Sequence, residues 1–355
     1  MTFGPHHYVP VLKVKPAEKA ALRKLSADIR WQVTPLLEIV ERKGNVDCTV
    51  ESHLNKAFKD LADCVRPFRR CFLDAHEIAP DGCEAATAVF ERASMSGIVF
   101  TPVTGVSRVE DVTAALGHAT NGIALRLTRQ ECEEGRLFHR INSFMSQYDL
   151  DAEQTDLILD LGAVDNLIVE GIYALTEAFM GQVPHLAQWR TLTLSACAFP
   201  SSMGGVERNS HKLVDRADWI AWRRGCFERR QTLVRLPTYS DCAIQHPEGV
   251  EGFDPSKMRA SASIRYTKSD DWLLIKGEST RMKLASEQFP DMATQLVYGN
   301  LKAHFAGDLH CAGCASIKYA ADGAPNYGSA EVWRRLGTIH HITQVVQELD
   351  ALSWP

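Results

Sequence analysis

The sequence has no apolar run approaching the ~20 residues of a membrane helix, so no helical membrane span is expected. Its opening stretch, MTFGPHHYVP, lacks the charged-then-apolar layout of an export signal, and cytoplasmic residence is the expectation. No Gly-x-Gly-x-x-Gly follows the first apolar run, which argues against a dinucleotide-binding open sheet. Lys276-Gly277-Glu278-Ser279 lacks the Walker spacing and is set aside as a phosphate loop. Neither an internal repeat of fixed period nor a low-complexity tract is present. A net charge of −5 does not support a whole-protein nucleic-acid binder. The ten cysteines, without an export signal, read as reduced thiols. Cys71 and Cys197 lie inside apolar stretches, where cysteine behaves as a small hydrophobe.

What is present is ample core-forming material: 45% hydrophobic and 23% charged residues over 355 positions, the balance of a globular chain. Basic clusters at Arg66, Arg69, Arg70 and at Arg216, Arg223, Arg224, Arg229, Arg230 read as solvated faces. Short apolar runs recur at 8–13, 34–40, 70–78, 97–103, 122–128, 155–162, 189–199 and 232–240. Each has strand length and is rich in Val, Ile, Leu, Phe or Thr. Segments between them, such as CEAATAVFERASM and VEDVTAALGHA, carry apolar residues at helical spacing, and 211–225 also looks helical. Strand and helix alternating in this way predict right-handed βαβ units and a parallel sheet. Eight units in about 240 residues match a closed (β/α)8 TIM-like barrel. We therefore expect a barrel core over 1–245. Residues 246–355 should form a C-terminal hairpin-and-helix elaboration packed on it in the same domain. Within that elaboration 261–279 reads as a hairpin turning through Lys268-Ser269-Asp270-Asp271, and 287–305 as helix.

Polar residues interrupt six of the eight apolar runs, each late in its predicted strand: Lys13, Glu38, Asp74, Arg126, Asp160 and Ser195. Each shares a face with an apolar residue two positions earlier, so all six can point into the barrel above its packed layers. That C-terminal mouth is where barrel active sites form. Glu38, Asp74 and Asp160 are candidates for general acid and base, or for a divalent metal such as Mg²⁺ held through oxygens. Lys13 and Arg126 are candidates to clamp an anionic group. His76 is a further candidate proton carrier. The Trp219 and Trp222 pair is expected to pack its helix against the barrel. His310-Cys311-x-x-Cys314 has a CxxC, but no second one exists. A closed zinc site would have to borrow His304, His340 or His341, so plain thiols are expected and no metal ligand is assigned.

Several segments come in a set order: YVPVLK, TPLLEI, LDLG, FPSS, VDRADW, PTYSDCAI, IRYTKSDDWLLIKGES and a closing W-x-x-x-G-x-x-HH-x-T-x-V. Together they resemble the phage and bacterial "beta protein" family along essentially the whole chain. The resemblance implies a barrel and a link to phage–host conflict, without a settled reaction. The matching positions are Lys13, Glu38, Asp74, Arg126, Asp160, Arg216, Trp219, Tyr239, Asp241, Arg265, Tyr266, Gly277, Trp333, His340 and His341. Two depart from the family's habit. Asp218 stands where Glu is frequent, and Tyr239-Ser240-Asp241 stands where Gly-Asp-Tyr is the tendency, without glycine's freedom at positive φ.

From these residues Glu38, Asp74, Asp160, His340 and His341 are assigned as candidate catalytic groups. Lys13, Arg126, Tyr239, Asp241 and Arg265 are assigned as candidate ligand-binding groups. Adjacent helical residues point ~100° apart, so the two histidines are not expected to chelate one ion. A break at Gly337 with Thr338 capping a new helix would let one of them face the mouth. The expected activity is a phage-defence-associated hydrolase of phosphodiesterase type. Its ligand would be a nucleotide, nucleic acid or other phosphorylated molecule. The alternative is a non-catalytic sensor or adaptor binding a phage component or small ligand at the same mouth, with a defence-system protein as partner.

Overall fold

The computed structural model describes residues 3–42, 49–249, 261–279 and 283–354. The chain divides into two compact units that interleave in sequence. The first comprises residues 1–15, 30–197 and 217–241; the second comprises 16–29, 198–216 and 242–355.

The first unit is the barrel. Its strands are β1 (Val11–Lys13), β2 (Leu36–Glu38), β3 (Cys71–Asp74), β4 (Phe100–Thr104), β5 (Ile123–Thr128), β6 (Thr155–Ala163) and β7 (Thr191–Cys197). After β8, which belongs to the second unit, β9 (Thr238–Ser240) completes the set. The order β1-β2-β3-β4-β5-β6-β7-β9 is parallel throughout. Six fall inside the apolar runs, and β4 and β6 each run one residue past theirs, because Val, Ile, Leu and Phe on both faces suit strands covered on both sides. The seam between β9 and β1 is closed by backbone bonds from Val9 N–H to Tyr239 O (3.1 Å) and from Val11 N–H to Asp241 O (2.8 Å). Both tyrosine hydroxyls there, Tyr8 (2.5 Å) and Tyr239 (2.8 Å), donate to the buried Asp241 carboxylate. Trp219 and Trp222 stack on one another beside Tyr239 and are buried, as expected of a packing pair.

Register sets the level of the polar residues. Lys13 pairs Glu38, which pairs Asp74; Asp160 pairs Ser195, which pairs Ser240. Charges also occupy the strand beginnings: Asp156, fully buried, is held by Arg70 (2.7 Å) and Arg190 (2.6 Å). At the N-terminal end of a barrel such a cluster serves stability.

In the second unit β10 (Ser261–Lys268) and β11 (Asp271–Ser279) form the predicted hairpin, with Ser269 at φ 48° in its two-residue turn. β8 (Ser210–Asp215) pairs antiparallel with β11, so the helix expected from 211 begins only at Ala217. HKLVD buries no continuous face of its own, and ladder partners on β11 decide its conformation. The terminal helix runs unbroken from Ala330 to Asp350, capped by Ser329. The expected break at Gly337 is therefore corrected. A Cβ there would lie 2.7 Å from the Arg265 carbonyl, so this glycine lets the helix lie close on β10 without interrupting it.

Candidate active site at the C-terminal end of the barrel

Glu38 and Asp74 end their strands, and Arg126 and Asp160 sit near the ends of theirs. Arg126 is the hub. Its Nη1 donates to Glu38 Oε1 (2.7 Å) and Asp74 Oδ2 (2.9 Å), and its Nε donates to Asp160 Oδ2 (2.8 Å). Nη2 lies 2.7 Å from the same Asp160 oxygen. A rigid planar fork is the group that can serve three carboxylates at once; a lysine ammonium cannot span them.

The acids are fixed by local chemistry as well. Asp74 Oδ1 accepts the backbone N–H of His76, and Asp160 Oδ1 accepts that of Gly162, both at 2.9 Å. The first turn places His76 at the site, although the strand ends at Asp74 and face alternation stops there. Thr128 and Glu131 form a capping box that turns the chain into a helix just beyond Arg126. Lys13 donates to Glu77 (2.5 Å). A second guanidinium, Arg108, reaches in from the loop after β4 and holds Asp74 through Nη1 (2.7 Å) and Nη2 (3.3 Å).

Glu38, Asp74, His76, Glu77, Arg108, Arg126, Thr128 and Asp160 line a cavity of about 100 Å³. That is room for a few atoms, enough for the reacting group of a ligand. Burial pushes the Glu38 carboxyl up, against the pull of Arg126 and with the Asp74 charge adding to the rise. For Asp74 burial acts in the same direction, but Arg108 and Arg126 overcome it and hold the group well below the usual carboxylate range. Burial, with Arg108 adding, lowers His76 against the opposing charge of Asp74. Glu38 and His76 are thus both pushed toward their neutral forms around one small cavity.

The donor set does not suit a divalent ion. Each of the three carboxylates is already ion-paired to Arg126. Among the described residues, the one His/Cys/Asp/Glu group with ligand atoms all within 4.8 Å is His310, Cys311 and His340.

The other candidates have partners of their own. Ser195 is buried in β7, and Tyr239 and Asp241 are engaged with Tyr8 in the barrel seam. Arg265, His340 and His341 belong to the second unit. Arg265 donates to the Ile244 carbonyl (2.7 Å) and lies over the Phe199 ring. His340 bonds the Thr267 carbonyl and Cys314 Sγ, and His341 bonds Thr267 Oγ1. Sequence reasoning missed Arg108 and Glu77. Glu77 adjoins His76 and was within reach of the pattern. Arg108 comes from a loop with no periodicity to read.

The fold and its polar end define a (β/α)8 barrel of the TIM type with a charged, ion-paired C-terminal mouth. The chain belongs to the Beta protein family, whose match spans residues 8–347. No curated protein matches it. Solved structures similar to it include a proposed fructose-1,6-biphosphate aldolase from Coccidioides immitis (11% identity, 98% of this chain and 90% of that one, TM-score 0.35). Others are the thiamine phosphate pyrophosphorylase of Pyrococcus furiosus (14%, 68% and 88%, TM-score 0.30) and the YdjI aldolase of Escherichia coli K12 (8%, 96% and 91%, TM-score 0.28). Likeness at this level carries no argument about chemistry. No helix of the described residues is long and apolar enough to cross a membrane.

Proposed function

We propose that the C-terminal end of the barrel is a hydrolase active site worked by Glu38 and His76 as an acid–base pair. The observation that carries the reading is the opposed shift of these two groups at one cavity. A carboxyl raised by burial can hold a proton to give to a leaving group, while a neutral imidazole can take one from water. Asp74, Asp160, Arg108 and Arg126 form a fixed frame around them. The expected ligand is phosphorylated or nucleotide-like, with its reacting group in the cavity and the remainder outside. Both Nη1 hydrogens of Arg126 are engaged while Glu38 is ionised. Protonation of Glu38 weakens one of the two Nη1 bonds and releases that donor for a phosphate oxygen. Action against phage, in concert with a defence-system partner, is the setting in which such turnover would serve.

A second reading is a sensor that binds the same ligand without turnover, since a fixed ion-pair network also serves recognition. The test is to screen the full-length protein for hydrolysis of nucleotides, cyclic nucleotides, oligonucleotides and simple phosphodiesters. Glu38→Gln and His76→Gln are run in parallel, with thermal shift recorded for every compound. Turnover that falls roughly 100-fold or more in both variants supports the enzyme. A thermal shift with no turnover of any compound favours the sensor. Turnover unchanged in both variants sinks the acid–base assignment.

A further inference from the structure

The cluster beneath the two C-terminal histidines is built like a metal centre, and it lies wholly within the second unit. Cys311 caps the helix Ala312–Ala321 and accepts the Cys314 N–H at its sulfur (3.3 Å), the local bond of a CxxC turn. Gly313 lies between the two cysteines. A Cβ at Gly313 would stand 2.6 Å from the Leu336 carbonyl, so glycine is what lets this helix close on the terminal helix. That approach brings Cys314 Sγ to 3.2 Å from His340 Nδ1. His310, just before the turn, sets its ring 5.0 Å from that of His340.

The histidine chemistry is decided by the partners. His340 Nε2 sits 2.7 Å from the Thr267 carbonyl, which can only accept, so Nε2 carries the hydrogen. Nδ1 of the neutral ring then points a lone pair toward the sulfurs. A backbone carbonyl on the far nitrogen is the usual outer partner of a metal-bound histidine. Tyr266 stacks on the His340 ring at 3.8 Å and holds its plane. The Tyr266 hydroxyl accepts the Ala306 N–H (2.9 Å), which leaves its own proton for Cys314 Sγ at 3.3 Å. His310 Nε2 is buried with no hydrogen-bond partner, a costly state for a polar nitrogen. One ligand atom each from His310, Cys311 and His340 lies within 4.8 Å of the other two.

We propose that His310, Cys311, Cys314 and His340 form a structural zinc site in the second unit. Two thiolates and two imidazoles are a tetrahedral set suited to Zn²⁺, and a closed set with no open position points to a structural role. The ion would satisfy the orphaned His310 nitrogen and tie the CxxC turn to the terminal helix. The competing arrangement, a Cys311–Cys314 disulfide, would leave both imidazole nitrogens without a partner.

The test uses untagged full-length protein purified under reducing conditions from zinc-supplemented cells. Elemental mass spectrometry should find one zinc per chain. Replacement by Co²⁺ should give the intense visible bands of a tetrahedral site together with thiolate charge-transfer absorption. Cys311→Ser and His310→Gln alter half-buried residues and should retain the fold by circular dichroism while zinc falls to background. Tyr266→Phe removes the outer donor to Cys314, along with the acceptor of the Ala306 N–H, and should weaken zinc about 10–100-fold. Cys83→Ser, at an exposed cysteine in the barrel unit, should change nothing. The proposal is overturned if the reduced wild-type chain holds neither zinc nor cobalt. It is overturned too if His310→Gln and Cys311→Ser keep full stoichiometry, or if peptide mapping finds a metal-free Cys311–Cys314 disulfide.

Discussion

Replacing Arg126 by methionine removes the hub of the barrel mouth while keeping most of its side-chain volume. Asp74 retains Arg108, but Glu38 and Asp160 lose the guanidinium that each of them bonds at 2.7–2.8 Å. All four groups are largely buried, so the loss is not screened by solvent. Removing one partner of a buried ion pair costs about 3–5 kcal/mol, and that range is expected at neutral pH. The pH dependence is the sharper signature. In the wild type, Asp74 is depressed below its ordinary value near 3.8, so its contribution is present above that value and lost as pH falls through its folded pKa. In Arg126→Met the buried Glu38 loses the charge that opposes its upward shift, and the native state recovers stability as pH falls through its raised value. The difference between the two proteins should therefore shrink from neutral pH toward about pH 5. Arg126→Lys keeps the charge without the planar fork and should fall between them. Urea unfolding across that pH range measures all three. A difference below about 1 kcal/mol, or one that does not change with pH, would refute the hub argument.

Asp111 is buried, accepts from Thr104 (2.6 Å) and has a second oxygen with no hydrogen-bond partner, and burial raises its pKa to about 6. The ionised form weakens the native state as pH rises from about 4 to 6. Asp111→Asn should accordingly stabilise by up to ~3 kcal/mol at neutral pH and by little below pH 4, checked by thermal unfolding at both. Asp241→Asn replaces one of the two oxygens that accept tyrosine hydroxyls at the seam, and should cost about 1–3 kcal/mol in urea unfolding. Trp219→Ala opens a cavity between Trp222 and Tyr239 and should cost about 3–5 kcal/mol by the same measurement.

The sequence by itself determined where the eight parallel strands lie and which polar residues come late in six of them. Apolar clustering over four to eight residues is a local property, and a carboxylate late in such a run is visible without knowing its neighbours. It also determined the hairpin at Ser269-Asp270, whose turn chemistry is contained within a few residues. The tertiary structure decided which charges meet. Arg126, assigned to clamp a ligand, is ion-paired to Glu38, Asp74 and Asp160 because barrel closure brings residues 34 to 88 positions apart within one guanidinium's reach. Arg108 enters from a loop that has no period to read. β8 is a strand because β11 supplies its ladder, and that partner lies about sixty residues further along the chain. The two histidines are the clearest case. Their motif was plain in the sequence, but their company is the CxxC helix and Thr267 of the second unit, brought together by a close helix contact that needs Gly313. Periodicity reports what a segment does with its own backbone. Partner choice between distant side chains is settled only when the chain closes on itself.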